Sequence, residues 1–436
     1  MAERKARKLL MLCYHYPPAV SGGVERSARF ARFLPDHGWT PVVVTTKRWG
    51  GGGGGVEGEV RVGELLKRTT PTAARGGATG PARSGPSGGP FVRFVEKWFL
   101  IPDKHVRWTA MALIPALGML RRGEADAIYT TSPPASAHVL GLILKKLTGK
   151  PWIMDLRDPW TLEPLNWYLR SGGARLSVEK RIERMCFRGA DAILASTPEA
   201  AARYGDIYPS CARRIEAIPN GYDGKEIEEA RSSASRAGAL KGIDGGVFVV
   251  SHAGTFCRYA DMPAYPKGLL DAIGSLSHEG IVSPANFRVI FAGGMNPDTE
   301  RMIAGYALGS LISMTGPVAH IDALRIMLRS DLLFLYDPSR EARYYVHGKL
   351  YEYLASGRRI LGVLPEGAAR RLLAASGHAI AITADDEREI RPVLLEALGE
   401  RGRAPACGGF DLGRYEGAHL TSMLVRVLEK VCDGQL

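Results

Sequence analysis

The stretch Leu9-Leu10-Met11-Leu12-Cys13-Tyr14, followed by a loop carrying Gly22 and Gly23, a helical pattern over residues 24–34 and then Pro41-Val42-Val43-Val44-Thr45-Thr46, sets the fold. Two apolar runs separated by a helix make a βαβ unit, which requires a parallel pair and a right-handed crossover. The runs are continuously apolar rather than alternating, the pattern of strands covered on both faces.

Working outward, strand-like runs recur at residues 127–131, 152–156, 192–196 and 215–219, with helical stretches between them. A second series occupies 247–252, 288–292, 311–315, 332–336, 360–364 and 379–383. This predicts an α/β chain of two Rossmann-like, doubly wound domains. The first takes residues 1–223 and the second 247–415. Residues 224–246, polar, charged and punctuated by glycine, read as the linker. The helical pattern at 416–431 is long enough for the tail 416–436 to pack back on the first domain.

Two stretches break the pattern. Residues 50–55 are six glycines, and 68–90 are rich in Gly, Pro, Ala and Arg, so no packed core is expected there. Residues 49–90 read as a mobile insertion, either a plain surface excursion or a flap near an acceptor. Residues 91–108 mix Trp98, Phe99 and Trp108 with Arg93, Lys97, Lys104 and Arg107. That mixture suits a membrane interface, and equally a helix buried against the sheet.

The 436 residues, 45% hydrophobic and 23% charged, have an ordinary globular composition. No apolar run reaches the roughly 18 residues of a membrane span. The apolar stretch after the basic start is too short for a secretory signal, so a cytoplasmic protein is expected. Six scattered cysteines with no C-x-x-C pair indicate neither zinc nor a disulfide framework. The net charge of +12 fits anionic substrates or an anionic membrane surface. No nucleic-acid module with interleaved aromatics is present. The basic clusters at 4–8, Lys145-Lys146 and Arg213-Arg214 fit a membrane contact worth about 1 kcal/mol per base. A solvated basic surface fits them too.

The segment His347-Gly348-Lys349-Leu350-Tyr351-Glu352 reads as a glycine-opened helix start. Free amides there, with the Lys349 cation, attract phosphate. Glu352, roughly 6 Å further along the axis, can accept hydrogen bonds from sugar hydroxyls. A nucleoside diphosphate has that order of groups. An ordinary amphipathic helix with Lys349 and Glu352 on its wet side is the competing reading. The loop from His15 to Arg26 lets backbone approach a diphosphate or sugar, or is simply a tight strand–helix turn. It lacks G-x-G-x-x-G, which makes a dehydrogenase a poor fit. Asp385-Asp386-Glu387 reads as a helix N-terminus. His15, His138, His252 and His347 lie near loops, where a histidine is either a hydrogen-bonded structural group or a catalytic one.

Taken in order, Tyr16-Pro17-Pro18, Gly22-Gly23-Val24-Glu25-Arg26, Thr131-Ser132-Pro133-Pro134, Asp155-Leu156-Arg157-Asp158-Pro159-Trp160, Ile218-Pro219-Asn220-Gly221-Tyr222-Asp223 and Ala253-Gly254-Thr255 resemble bacterial glycosyltransferases of the GT-B fold. The likeness is to the retaining group called glycosyltransferase family 4, in a surface-polysaccharide subgroup. It implies two domains facing across a cleft and a metal-independent transfer with retention. Front-face attack, with the donor phosphate taking the acceptor proton, needs no protein nucleophile. No cofactor is implied, the nucleotide-diphosphate sugar being the co-substrate. The acceptor would be a glycan or lipid-linked glycan for cell-surface polysaccharide, met by a peripheral protein at the inner membrane face.

The resemblance also implies roles. Gly22, Gly23 and Thr255 would contact the donor, with Asn220, Gly221 and Asp223 near the cleft. Gly348 and Lys349 would approach the phosphates, and Glu352 the ribose. Arg258 and Lys267 would neutralise the leaving diphosphate. Preplaced cations can lower such a barrier by several kcal/mol. Two departures stand out. Relatives carry a second glutamate eight residues before the ribose ligand, where this chain has Tyr344. Where many have a histidine after the 152–156 strand, this chain has Arg157 beside Asp158. Arg157 could bind an anionic group and Asp158 accept a proton, or the two could be a structural pair. Asp158 and His15 could also serve an epimerase or hydrolase on the same fold, and loss of the first glutamate could mark a non-catalytic scaffold.

Overall fold

A computed structural model describes residues 6–19, 24–49, 58–65, 94, 95, 97–162, 169, 173–233, 246–254, 256, 265–337, 342–377, 379–382, 384–402 and 409–435. Among the sites named above, Gly22, Gly23, Thr255 and Arg258 lie outside the described residues. The chain divides into two compact units. The first holds the described residues up to Gly221 and from Tyr415 onward, and the second those from Tyr222 to Arg414.

The first unit runs β1 Arg7–Leu12, α1 Val24–Phe33, β2 Trp39–Thr46, β3 Val60–Val62, α2 Val106–Arg121, β4 Ala127–Ser132, α3 Ser136–Thr148, β5 Trp152–Leu156, α4 Ala174–Gly189, β6 Ala192–Ala195, α5 Pro198–Ile207 and β7 Ile215–Ala217. Its sheet has the order β3-β2-β1-β4-β5-β6-β7, with every pair parallel. Alternate residues of each strand feed different layers, as strand geometry requires. Leu10, Leu12, Ile128, Trp152, Met154 and Ile193 pack under α2, α3 and α4. Leu9, Met11, Ala127, Tyr129, Ile153 and Leu194 pack on the opposite face, against Phe30 of α1.

The second unit runs α6 Gly224–Ser233, β8 Phe248–Ala253, α7 Lys267–His278, β9 Phe287–Ala292, α8 Pro297–Ala304, β10 Ile312–Gly316, α9 His320–Arg329, β11 Leu332–Tyr336, α10 Gly348–Ser356, β12 Arg359–Val363, α11 Ala368–Ser376, β13 Ala379–Ile382 and α12 Glu387–Gly399. Its six parallel strands have the order β10-β9-β8-β11-β12-β13. The last helix, α13 Gly417–Cys432, belongs to the first unit, where Leu420, Leu424, Val427 and Leu428 join the α1-side core.

Three segments bear on the sequence reading. The stretch expected as linker opens with α6, whose start Asp223 caps by accepting the amides of Lys225 (2.9 Å) and Glu226 (3.4 Å). Within the stretch expected to be mobile, Val60–Val62 extends the sheet by pairing with Val44, Thr45 and Thr46. Trp108 is fully buried in α2, which settles that end of residues 91–108 in favour of a core helix.

Arg26, inside the Gly-Gly-x-Glu-Arg motif, is structural. It is buried and forms a two-pronged pair with Asp155 of β5 (2.8 and 2.9 Å), and it donates to the Pro219 carbonyl (2.7 Å). Tyr129 and Thr131 hydroxyls complete the ring around Asp155 (2.5 and 3.1 Å). A planar fork of this kind ties α1, β5 and the segment after β7 together.

Candidate functional site

In an open parallel α/β sheet, ligands collect at the C-terminal strand ends where the order reverses. In the second unit that point lies between β8 and β11. Here β8 delivers His252 and Gly254, β11 delivers Asp337, and α10 begins with Gly348 and Lys349.

The Lys349 ammonium stands 3.3 Å from His252 Nε2. His252 Nδ1 lies 3.0 Å from the Phe334 carbonyl, which can only accept, so that nitrogen carries the proton and Nε2 is free to receive from the ammonium. Burial, and then the Lys349 charge, push the His252 pKa well below its usual value. The ring is therefore neutral, and it stacks on Phe256 at 4.1 Å.

Two glycines clear the space in front of this pair. Gly254 has φ +135°, and a Cβ there would lie 3.0 Å from Lys349 Nζ. Gly293, at the end of β9 with φ +149°, would place a Cβ 2.1 Å from the Gly254 carbonyl oxygen. Any side chain at Gly293 would force the two strand ends apart. Tyr353 fastens α10 to β8, its hydroxyl accepting the Ala253 amide (2.8 Å). At the helix mouth, His347 Nε2 lies 2.6 Å from Asp337 Oδ2, which also accepts from the Tyr345 hydroxyl (3.2 Å). The result is a fixed helix start, with a cation beside it and backbone exposed by glycine, a combination suited to phosphate.

One turn further on, Glu352 is nearly buried, at 8% exposure. Its Oε1 lies 3.5 Å from His320 Nε2 at the start of α9, and the same nitrogen is 3.5 Å from Glu226 of α6. A carboxylate so held, with its second oxygen available for hydroxyls, is a directional acceptor. The competing reading of α10 as a plain amphipathic helix with Glu352 on the wet side is therefore wrong in that detail.

Lys267 is less enclosed. It opens α7 with 58% of its side chain exposed, and its ammonium is paired with Asp271 one turn along. Tyr344, at the place of the missing glutamate, is the last residue of a 3₁₀ turn before Tyr345.

In the first unit, His15 follows β1 and meets three cations. Burial first, then Arg157, Arg48 and Lys104, lower its pKa to about 3. It is uncharged at neutral pH and a weak base. Arg157 donates to Asp158 at 2.9 Å and reaches the Ser132 carbonyl at 3.4 Å. The two therefore form a pair at the end of β5, and Asp158 is a salt-bridged carboxylate. His138 is structural, buried, and 2.8 Å from the Thr130 hydroxyl. Asn220 is nearly buried. At Gly221 a Cβ would fall 2.2 Å from the Tyr415 carbonyl oxygen and 2.4 Å from Leu420, so glycine there is required by the returning C-terminal segment.

The sequence reading passed over Gly293, His320 and Asp337. The first had a visible signal, two glycines (Gly293-Gly294) directly after an apolar strand. The other two act through distant pairings that no local pattern encodes.

Two doubly wound Rossmann-like units, with the C-terminal helix returned to the first, make up the GT-B fold. Residues 21–221 match the family model described as glycosyl transferase 4-like domain, and over that part the chain is similar to glycosyltransferases. No curated protein matches it in sequence. Among solved structures, sucrose-phosphate synthase from Thermosynechococcus elongatus is similar with a TM-score of 0.67 at 13% identity, over 98% of this chain and 100% of that one. Anabaena HepE in complex with UDP gives 0.60 at 14%, over 97% and 100%. UDP-GlcNAc 2-epimerase from Neisseria meningitidis bound to UDP-GlcNAc gives 0.58 at 12%, over 97% and 100%. Among the described residues, no helix is long and apolar enough to cross a membrane.

Proposed function

We propose that this protein moves a sugar from a nucleotide-diphosphate sugar to a hydroxyl of a glycan or lipid-linked glycan, with retention of configuration, in the building of cell-surface polysaccharide. The observation that carries the reading is the joint placement of Lys349, Gly254 and the α10 N-terminus at the switch point, with Glu352 one turn beyond. The diphosphate lies against the helix start and Lys349, and the ribose hydroxyls donate to Glu352. As the sugar–phosphate bond breaks, negative charge grows on the diphosphate. Lys349, the α10 N-terminus, Arg258 and Lys267 stabilise it, which leaves no step that requires a metal. Gly22, Gly23, Thr255, Asn220 and Gly221 are assigned to the donor side. His15, Arg157 and Asp158 are assigned to the acceptor, with the cationic rim around His15 favouring an anionic acceptor. The likeness to HepE, solved with UDP-glucose, supports a nucleotide-sugar donor.

The test is a donor screen read by product mass, with a membrane-lipid extract in detergent as acceptor and with EDTA present. A mass gain of one sugar on the extract is the expected result. The epimerase likeness makes the second reading concrete. A new isomer of the sugar nucleotide formed with donor alone would replace the transferase reading by epimerisation.

A further inference from the structure

The layer α2–α3–α4 covers one face of the first sheet, and its outer surface is unusual in two independent ways. Apolar side chains break through it: Ile114 of α2 is 72% exposed, Leu147 of α3 52% and Met185 of α4 47%, with Ile143 and Val178 beside them at 39% and 38%. Its charge is one-sided. The two acids of the three helices, Glu179 and Glu183, are fully buried. Arg175 is buried too, so every charged side chain of these helices that reaches solvent is basic: Arg107, Arg121, Lys146, and on α4 Lys180, Arg181, Arg184 and Arg188, with Lys145 paired to Asp191 beyond α4.

The inward turn of the acids has a second consequence. Glu179 holds Arg175 (2.5 Å), and Arg175 donates to the carbonyls of Lys97 (2.5 Å) and Pro102 (2.7 Å). Glu179 also accepts the Trp160 indole N–H (2.9 Å). A fully buried guanidinium thus fixes the backbone of the segment that carries Trp98 and Phe99. Their side chains point outward, 39% and 70% exposed, with Phe94 at 54% and the Lys97 ammonium 5.4 Å from the Trp98 ring. Aromatic groups held out on a rigid backbone lose little entropy on burial, and Trp beside Lys is suited to the headgroup level of a bilayer.

We infer that the α2–α3–α4 face, together with the exposed rings of Phe94, Trp98 and Phe99, docks this protein on an anionic phospholipid surface. The reach of basic charge selects lipid over a neutral protein partner. The absence of a spanning helix among the described residues makes the attachment peripheral. The inference deepens the proposal of a membrane-held acceptor and supplies the surface that would meet it.

The experiment is co-sedimentation of the full chain with phosphatidylglycerol–phosphatidylethanolamine vesicles and with phosphatidylcholine vesicles. Binding only to the anionic ones, falling with salt, is expected. Arg181→Glu/Arg184→Glu/Arg188→Glu should weaken it by at least about 100-fold. Trp98→Ser/Phe99→Ser should weaken it while leaving the salt dependence in place. Arg426→Glu/Lys430→Glu, on α13 at the opposite face of the sheet, should have little effect. Thermal unfolding with and without UDP checks that each variant folds and keeps its donor site. Absence of wild-type binding, equal loss in the α13 variant, or dimerisation through this face without vesicle binding would overturn the inference. The detergent transfer assay above, which needs no vesicle, decides the transferase reading separately.

Discussion

Lys349 Nζ lies 3.3 Å from His252 Nε2, so the cation at the start of α10 is aimed across the end of β8. The neutral ring receives one N–H of the ammonium. Burial alone would already keep His252 uncharged, and Lys349 adds to the effect. The ring stays neutral beside the ammonium, and the pair carries a single positive charge with a fixed direction.

Replacing Lys349 by alanine should lower turnover by about 10² or more, since it removes a charge stabiliser at the leaving group. Lys267→Ala should cost less, because that ammonium is exposed and already paired with Asp271. Steady-state kinetics of the two variants compare them directly. A larger loss at Lys267 would move the diphosphate away from α10. In Lys349→Ala the His252 pKa should also rise, as read from the pH dependence of its imidazole NMR shifts.

Glu352→Gln should weaken binding of UDP by roughly 10- to 100-fold, the range of a lost hydrogen bond to a charged group, about 1.5–3 kcal/mol. The loss should shrink sharply with a dideoxyribose analogue, which offers Glu352 no hydroxyl. Calorimetric titration of both ligands into both proteins gives the cycle. Equal losses for the two ligands would take Glu352 off the ribose.

Much of this was readable in the chain. Residues 152–156 and 332–336 were predicted as strands and are strands with those bounds, because five-residue apolar runs between helices leave a parallel sheet little choice. The Lys349-to-Glu352 spacing was readable because a helix fixes it. Val60–Val62 was not, since three half-buried residues after a glycine run carry no periodic signal and gain their strand state from Val44–Thr46. Nor was the role of Arg26, whose partner Asp155 is 129 residues away. The same limit hid His320 beside Glu352.

That buried pair makes its own prediction. Removing one partner leaves the other charge buried and uncompensated, which typically costs about 3–5 kcal/mol. Asp155→Asn should therefore destabilise the first unit by about that much, and Arg26→Met similarly, in urea unfolding. Replacing both with apolar residues should recover a large part. A loss below about 1 kcal/mol in either single variant would mean that water reaches the pair.

The buried histidines of the first unit should contribute a stability that acid removes. His138 and His15 each have a folded pKa of about 3, burial being the first cause in both, against an ordinary 6.5. A depressed pKa gives stability that is complete above pH 6.5 and is lost as the pH falls toward 3, at up to about 1.4 kcal/mol per pH unit for each group. Glu179 opposes this. Burial raises its pKa to about 7, so its contribution is complete below about 4.5 and declines as the pH rises toward 7. Asp103 and Glu183 of the same unit are raised as well, burial being the first cause, and they act in the same direction as Glu179, so the histidine contribution is read from a variant rather than from the wild-type curve. His138→Gln removes one of the titrating groups. Its deficit relative to wild type, measured by thermal unfolding, should be largest above pH 6.5 and shrink as the pH falls toward 3. A deficit constant with pH would show that His138 is not titrating in this range.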